Sequence, residues 1–253
     1  MRNYKEKTCC FSNNGKRKVM KKRRFFISDI NSLRNLRYIL AECDIPSVRY
    51  VPAVHEKELK FMKILLASKS PRRRELLLGM GLEFDICSPQ FDEDSVAGFS
   101  PDVTVEKLSL GKAMSASRDD AVVIGSDTVV ALDGVILGKP ADEADAVRML
   151  KMLSGRKHYV YTGVALVGGG KSVVFHEKTA VQFRHLTDED IAAYVASGEP
   201  MDKAGAYGIQ GKGALLVSGI EGDYFTVVGL PVCRVAQALK NEFGIDCLKG
   251  FKL

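Results

Sequence analysis

Asp127 is the residue whose surroundings demand a chemical reason. It stands in Ala121–Leu132, AVVIGSDTVVAL, a nearly continuous apolar run of the kind buried on both faces of a sheet. A carboxylate there is costly to bury unless it meets a cation, a metal or a proton-transfer task. The alternative is an Asp that bonds local backbone at a bulge marked by Gly125. A second carboxylate, Glu93, lies in the acidic loop Asp92-Glu93-Asp94. By itself that loop reads as solvated. Lys112 sits in a helical pattern, where a lysine is ordinarily on the surface. Lys139 is held between Gly138 and Pro140, which suits a positioned cation. Together, Arg72, Arg73, Lys112 and Lys139 can hold a polyphosphate. Glu93 and Asp127 offer the oxygen ligands that a hard divalent cation takes.

These residues need elements to carry them. The stretch Lys63–Leu78, KILLASKSPRRRELLL, reads as a short buried strand, a Ser68-Lys69-Ser70 turn and a helix opening at Pro71. Arginines in a helix's first turn oppose the helix dipole, and an anion would offset that conflict. Backbone N–H groups, serine hydroxyls and arginine forks at one helix start suit a phosphate. A basic, solvated first turn is the alternative.

Further on, Phe84–Cys87 reads as a strand. Ser100-Pro101 opens a helix with Val105, Leu108, Ala113 and Met114 on its apolar side. Asp133-Gly134 is a hairpin turn back into Val135-Ile136-Leu137. Asp142 caps a helix through Leu153 that Gly155 helps to end. His158–Val167 and Ser172–Phe183 are long strand candidates joined by a glycine triplet. Thr187 caps a helix from Asp188 to Ala196, stopped by Gly198. Glu199–Gly213 is a glycine-rich loop, Leu215–Val217 and Tyr224–Val227 read as strands, and Pro231 opens a final helix. Strands interleaved with helices, with two hairpins breaking the alternation, predict α/β with a mixed sheet.

Composition sets bounds. The chain has 253 residues, 46% hydrophobic and 27% charged, ordinary for a globular protein, and no apolar run reaches the length of a membrane span. Its net charge of +6 is unevenly placed. Residues 1–61 hold 15 Lys+Arg and 6 Asp+Glu, while the rest holds 22 and 25, a net of −3. The basic character therefore belongs to the first 61 residues, and a protein-wide nucleic-acid footprint is not expected. Those residues are expected to be a basic N-terminal extension, poorly ordered or a mis-called start, ahead of a domain over 62–253. A short helix over 30–42 is the one regular element they suggest. Cys9, Cys10, Cys43, Cys87, Cys233 and Cys247 form no C-x-x-C pair, so neither a zinc site nor a disulfide framework is expected, and a reducing cytoplasm is.

Five segments in order, SKSPRRRELL, FDED, GSDTVV, LGKP and DKAGAYGIQG, resemble the Maf (septum-formation inhibitor) family over Met62 to about Cys247. The resemblance implies an elongated, two-lobed mixed-sheet fold similar to inosine triphosphatases, with the substrate in a cleft between lobes. It implies a nucleoside triphosphate pyrophosphatase with a divalent metal, Mg or Mn. Asp127 then matches the catalytic acid, shared with metal binding alongside Glu93. Ser68, Arg72, Arg73, Lys112 and Lys139 match phosphate positions. Arg72, Thr128 and Gln210 match positions tied to base selection. The DKAGAYGIQG form resembles the dTTP/UTP subgroup rather than the one acting on 7-methyl-GTP, with clearance of non-standard nucleotides as an open extension. The partner expected is the nucleotide, with a second copy of the chain as an open option. The competing readings are a division regulator acting through a protein partner, and nucleic-acid binding through the basic first 61 residues. An acid amid apolar residues, with cations around it, favours the enzyme.

Overall fold

The computed structural model describes residues 63–96 and 98–249. The expectations for residues 1–61, including the helix over 30–42, lie outside the described residues. The strands are β1 (Lys63–Ala67), β2 (Asp85–Cys87), β3 (Ala121–Leu132), β4 (Val135–Leu137), β5 (Lys157–Gly168), β6 (Lys171–Phe183) and β7 (Val217–Glu221). The α-helices are α1 (Pro71–Gly79), α2 (Pro101–Ser115), α3 (Glu143–Leu153), α4 (Asp188–Val195), α5 (Tyr224–Val228) and α6 (Val232–Phe243). Short 3-10 turns cover Glu93–Val96 and, within the glycine-rich stretch, Glu199–Asp202, Ala204–Ala206 and Gly211–Leu216.

The seven strands form one mixed sheet in the order β2-β1-β3-β5-β6-β7, with β4 also on β3. β1 runs parallel to β2 and β3, while β5, β6 and β7 follow in antiparallel hairpin fashion. Helical connections produce the parallel part, and tight turns join the β3–β4 and β5–β6 hairpins, while β5 and β7 reach their places through further helices. The Asp133-Gly134 turn has φ of 52° and 82°, as a two-residue hairpin requires.

Three cores lie along the sheet, the smallest being Leu65, Ala67, Ala113, Ala121, Val123, Ala165 and Val167. At one end Ile64, Leu66, Val122, Ile124, Val164 and Leu166 pack against Leu77 of α1 and Val235, Leu239 and Phe243 of α6. At the other, Val130, Leu132, Val160, Val181 and Phe183 pack against α3 and α4. The middle of β3, residues 126–129, lies between these two clusters.

The helix starts follow their capping residues. Ser70, Asp142 and Thr187 each accept the backbone N–H three residues on, and Asp190 completes a capping box with Thr187. Three expectations fail. Tyr224–Val228 is a helix, because Asp223 accepts the Thr226 N–H and starts a helical turn that strand-favouring side chains do not prevent. The strand expected at Leu215–Val217 is displaced to Val217–Glu221, since Gly211–Leu216 winds into a 3-10 turn. Met114, expected on the apolar side of α2, is 54% exposed, whereas Val105, Leu108 and Ala113 are buried.

Candidate active site

β3 has one edge shared by two short strands. β5 holds its other edge without a break from Val123↔Val167 to Ala131↔Tyr159. β1 pairs with Ala121–Gly125 and β4 with Val130–Leu132. Residues 126–129 are left between them, where the chain leaves the carboxyl end of β1. Crevices at such strand ends, where neighbouring connections diverge, are the usual ligand sites of α/β sheets. The unbroken β5 ladder also removes the alternative of a bulge at Gly125.

Gly125 has another task. A Cβ there would collide with the Ser109 carbonyl of α2, and one at Gly163 with the Val105 carbonyl. The two glycines let α2 lie directly on the sheet. That close approach brings Lys112, 8% exposed, down to Asp127. Its ammonium donates to Asp127 Oδ1 at 2.5 Å and lies 2.9 Å from Glu93 Oε1. The expectation of a surface lysine is overturned: Lys112 is buried and bridges the two carboxylates. Asp127 is largely covered, at 14% side-chain exposure, and Glu93 stands at the mouth, at 61%.

The alternation of β3 sends Ser126 and Thr128 to the opposite face. There Thr128 meets Arg73 of α1, and Ser126 donates to the Gly229 carbonyl that Arg73 also uses. Arg73 Nε donates to Gly229 O at 2.8 Å, Nη1 to Ser68 Oγ at 3.4 Å and Nη2 to Thr128 Oγ1 at 2.9 Å. All three acceptors are neutral. Burial pulls the guanidinium below its ordinary pKa, with the nearby Asp127 charge opposing that shift. Five N–H donors with three engaged leave two for an incoming group. Ser68 is itself buried and also accepts the Ser70 N–H at 3.2 Å.

Arg72, one residue earlier, lies 3.8 Å from Asp202 and so reaches the glycine-rich stretch. That stretch is also tied to the loop after β4, where Gly205 N–H donates to Gly138 O at 2.9 Å. Lys139 is exposed just beyond, two residues after the Val130–Leu137 pair. Glu199 braces the same stretch, accepting the Lys212 and Gly213 N–H groups at 3.1 Å. Gln210 is exposed at the start of the last 3-10 turn, and its side chain does not cap it.

The structure thus brings Ser68, Arg73 and Thr128 into one cluster, and Glu93, Lys112 and Asp127 into another across the strand. Arg72 is joined to the glycine-rich stretch. Lys139 and Gln210 stand apart, without a side-chain bond to either cluster. Thr128, expected among the base-selecting positions, has its hydroxyl engaged by Arg73 and Thr162. Sequence reasoning missed Ser126, Thr162 and Gly229. Serine and threonine in strands give no signal alone, but Ser126 flanks Asp127 in GSDT.

Among the described residues no group of three or more His, Cys, Asp or Glu is placed to hold a metal, and no helix is long and apolar enough to cross a membrane.

Residues 63–242 match the pattern of the Maf-like protein family. The dTTP/UTP pyrophosphatase of Moorella thermoacetica is 56% identical over 188 residues, covering 73% of this chain and 96% of the relative. That of Symbiobacterium thermophilum is 52% identical over 190 residues, 74% and 97% of the two chains. That of Bacillus cereus is 51% identical over 186 residues, 73% and 97%. Among solved structures, the Ham1 protein of Staphylococcus aureus aligns at 14% identity over 48% of this chain and 71% of that one; its TM-score of 0.36 is too low to carry an argument. With the family pattern running from β1 nearly to the end of α6, and half the residues shared with relatives of nearly full length, the chain belongs to the Maf-like family.

Proposed function

We propose that this protein hydrolyses dTTP and UTP to the monophosphate and pyrophosphate, in the cleft at residues 126–129. The observation that carries the reading is Arg73: a half-buried guanidinium with neutral acceptors and two N–H groups left over at the end of β1. Such a cation is matched by an anionic ligand. The relatives named dTTP/UTP pyrophosphatase supply the substrate class.

Each residue has a part. Arg73 and the Ser68–Ser70 turn grip phosphate oxygens, and Arg72 and Lys139 approach from the rim. Asp127 orients a water toward the α-phosphorus and accepts its proton as the bond to the pyrophosphate leaving group breaks. Lys112 neutralises developing charge beside it. A divalent cation fits Glu93 and Asp127: two converging carboxylates without a third suit an ion that keeps waters and takes phosphate oxygens as further ligands. When bound it would supply charge neutralisation at the phosphates. Gln210 presents both a donor and an acceptor, matching the C4 carbonyl and N3–H of thymine and uracil, whereas cytosine reverses that pattern.

The test is pyrophosphate release from dTTP, UTP, CTP, ATP, GTP and 7-methyl-GTP with Mg²⁺ or Mn²⁺. The expected kcat/KM favours dTTP and UTP by roughly 10- to 100-fold over CTP, the scale of one unpaired buried polar group. Asp127→Asn should lower kcat about 10²-fold or more with the fold intact. A preference for 7-methyl-GTP, or full turnover in Asp127→Asn, overturns the reading.

A further inference from the structure

Beneath Arg73 runs a chain of hydroxyl groups whose hydrogen-bond directions are fixed by what lies at its far end. Thr162 of β5 is fully buried, and its hydroxyl faces the Thr226 carbonyl of α5 at 2.7 Å. A carbonyl only accepts, so Thr162 donates there. Thr162 has one proton, and it therefore accepts from Thr128, whose hydroxyl lies 2.9 Å away. Thr128 in turn has its proton engaged, and presents a lone pair to Arg73 Nη2 at 2.9 Å. The order Arg73 to Thr128 to Thr162 to Thr226 has one consistent sense. It leaves Thr128 no proton for a substrate.

The far end is anchored. Thr226 is fully buried, and its N–H and hydroxyl both donate to Asp223 Oδ2, at 2.7 and 2.8 Å. Thr179 of β6 donates to Asp223 O at 2.8 Å. The same segment supplies Gly229 O, which accepts from Arg73 Nε and from Ser126 Oγ at 3.1 Å. Gly229 has φ of 124°, and a Cβ there would meet Thr128 Oγ1 and Arg73 Nε at 3.4 and 3.5 Å. The segment Asp223–Gly229 thus holds the guanidinium directly through the Gly229 carbonyl and indirectly, through Thr162 and Thr128, from the Thr226 carbonyl. None of these acceptors is charged, so the arginine is oriented without being neutralised.

We propose that Thr162 is a positioning residue for the anion-gripping Arg73, acting through Thr128 and anchored on α5. This rests on the reading of Arg73 as a phosphate grip. With Thr162 replaced by Val, Thr128 loses its acceptor. Its hydroxyl is then free to turn its proton elsewhere, and the Arg73 fork loses its fixed angle. Charge and fold remain, so the loss falls on binding the polyanion.

The test compares Thr162→Val, Thr162→Ser, Arg73→Lys and the double variant Arg73→Lys/Thr162→Val on the full chain. Measured are KM and kcat for dTTP, inhibition by pyrophosphate, and melting temperature. Thr162→Val should raise KM and weaken pyrophosphate inhibition about tenfold, with kcat changed less than threefold. Thr162→Ser should restore both. In the Arg73→Lys background, Thr162→Val should add less than a twofold further change, because the fork it orients is gone. A full tenfold further change there, or equal losses in the Ser and Val variants, overturns the proposal. If Thr162→Val does not fold, Thr162→Cys keeps the volume with a weak donor and should show the same KM increase; an unchanged KM in it overturns the proposal. An Arg73→Lys variant with unchanged KM sinks the phosphate-grip reading itself. Arg73→Lys with raised KM and Thr162→Val without it sinks only the positioning role.

Discussion

Replacing Lys112 by Met removes the charge between Glu93 and Asp127 while keeping an unbranched side chain of similar length. The two ion pairs it breaks are unequal. The Glu93 carboxylate is 61% exposed, so water takes over its solvation and that loss is about 0–1 kcal/mol. Asp127 is only 14% exposed and its bond to Lys112 is 2.5 Å long, so its carboxylate is left largely desolvated and unpaired. A hydrogen bond to a charged group contributes about 1.5–3 kcal/mol. The sum is about 1.5–4 kcal/mol, or a fall in melting temperature of roughly 3–16 °C for a domain of this size. The two freed carboxylates should then take Mg²⁺ or Mn²⁺ more readily, so added metal should raise the variant's melting temperature more than the wild type's. Turnover should fall about 10²-fold, as when a preorganised donor is removed from a charged transition state. The assays are thermal melts with chelator and with metal, alongside pyrophosphate release. A variant that melts and turns over like the wild type would make Lys112 a solvated lysine. One that melts lower yet keeps full kcat would make it a strut with no part in the chemistry.

Two further outcomes are expected. Burial pushes the His158 imidazole down to about 4 from its ordinary 6.5, so the unfolded chain binds more protons between these values; stability present above pH 6.5 is lost as pH falls toward 4, by about 3 kcal/mol. His158→Gln, which can still bond the Tyr207 hydroxyl that His158 meets at 2.8 Å, should flatten urea-melt stabilities between pH 6.5 and 4.5, and an unchanged slope would remove His158 as the cause. Gln210→Glu replaces the amide's donor end by an acceptor and should reduce the UTP-over-CTP ratio of kcat/KM about tenfold, whereas an unchanged ratio would place base selection elsewhere.

Much of this was legible because its signals are local. The apolar run of β3, the Asp133-Gly134 turn and the caps Asp142 and Thr187 state their own structure within a few residues. So does the oddity of Asp127 in its run. What escaped depends on distant chain. Lys112 is buried because Gly125 and Gly163, on two other strands, admit α2 to the sheet. Tyr224–Val228 carries strand-favouring side chains and still winds into a helix, since Asp223 caps it and Thr226 turns inward onto that carboxylate. The Asp three residues before Thr226 was the available sign. Thr128 is tied to base selection only by the resemblance; in the strand it and Asp127, as adjacent residues, face opposite ways. Its hydroxyl belongs to the Arg73 side of the sheet.

That division by strand face has an electrostatic consequence. Asp127 and Thr128 differ by one residue, yet the acid meets Lys112 on one face and the hydroxyl meets Arg73 on the other. Had both cations shared the acid's face, Arg73 would pair with a carboxylate and have less to offer a phosphate. Sheet alternation keeps it among neutral oxygens instead. Formal charge then limits what the side chains can do alone. Arg72, Arg73, Lys112, Lys139 and Lys203, which lies 2.6 Å from Asp202, are opposed by Glu93, Asp127 and Asp202, leaving a net of +2. Two surplus positive charges are fewer than the negative charges of a triphosphate. In the proposed reaction the shortfall would be met at the two carboxylates, where Glu93 and Asp127 would serve as ligands for a divalent ion rather than as a repulsive wall. The same two acids that would weaken phosphate binding by themselves thereby raise the positive charge of the cleft once the ion is held.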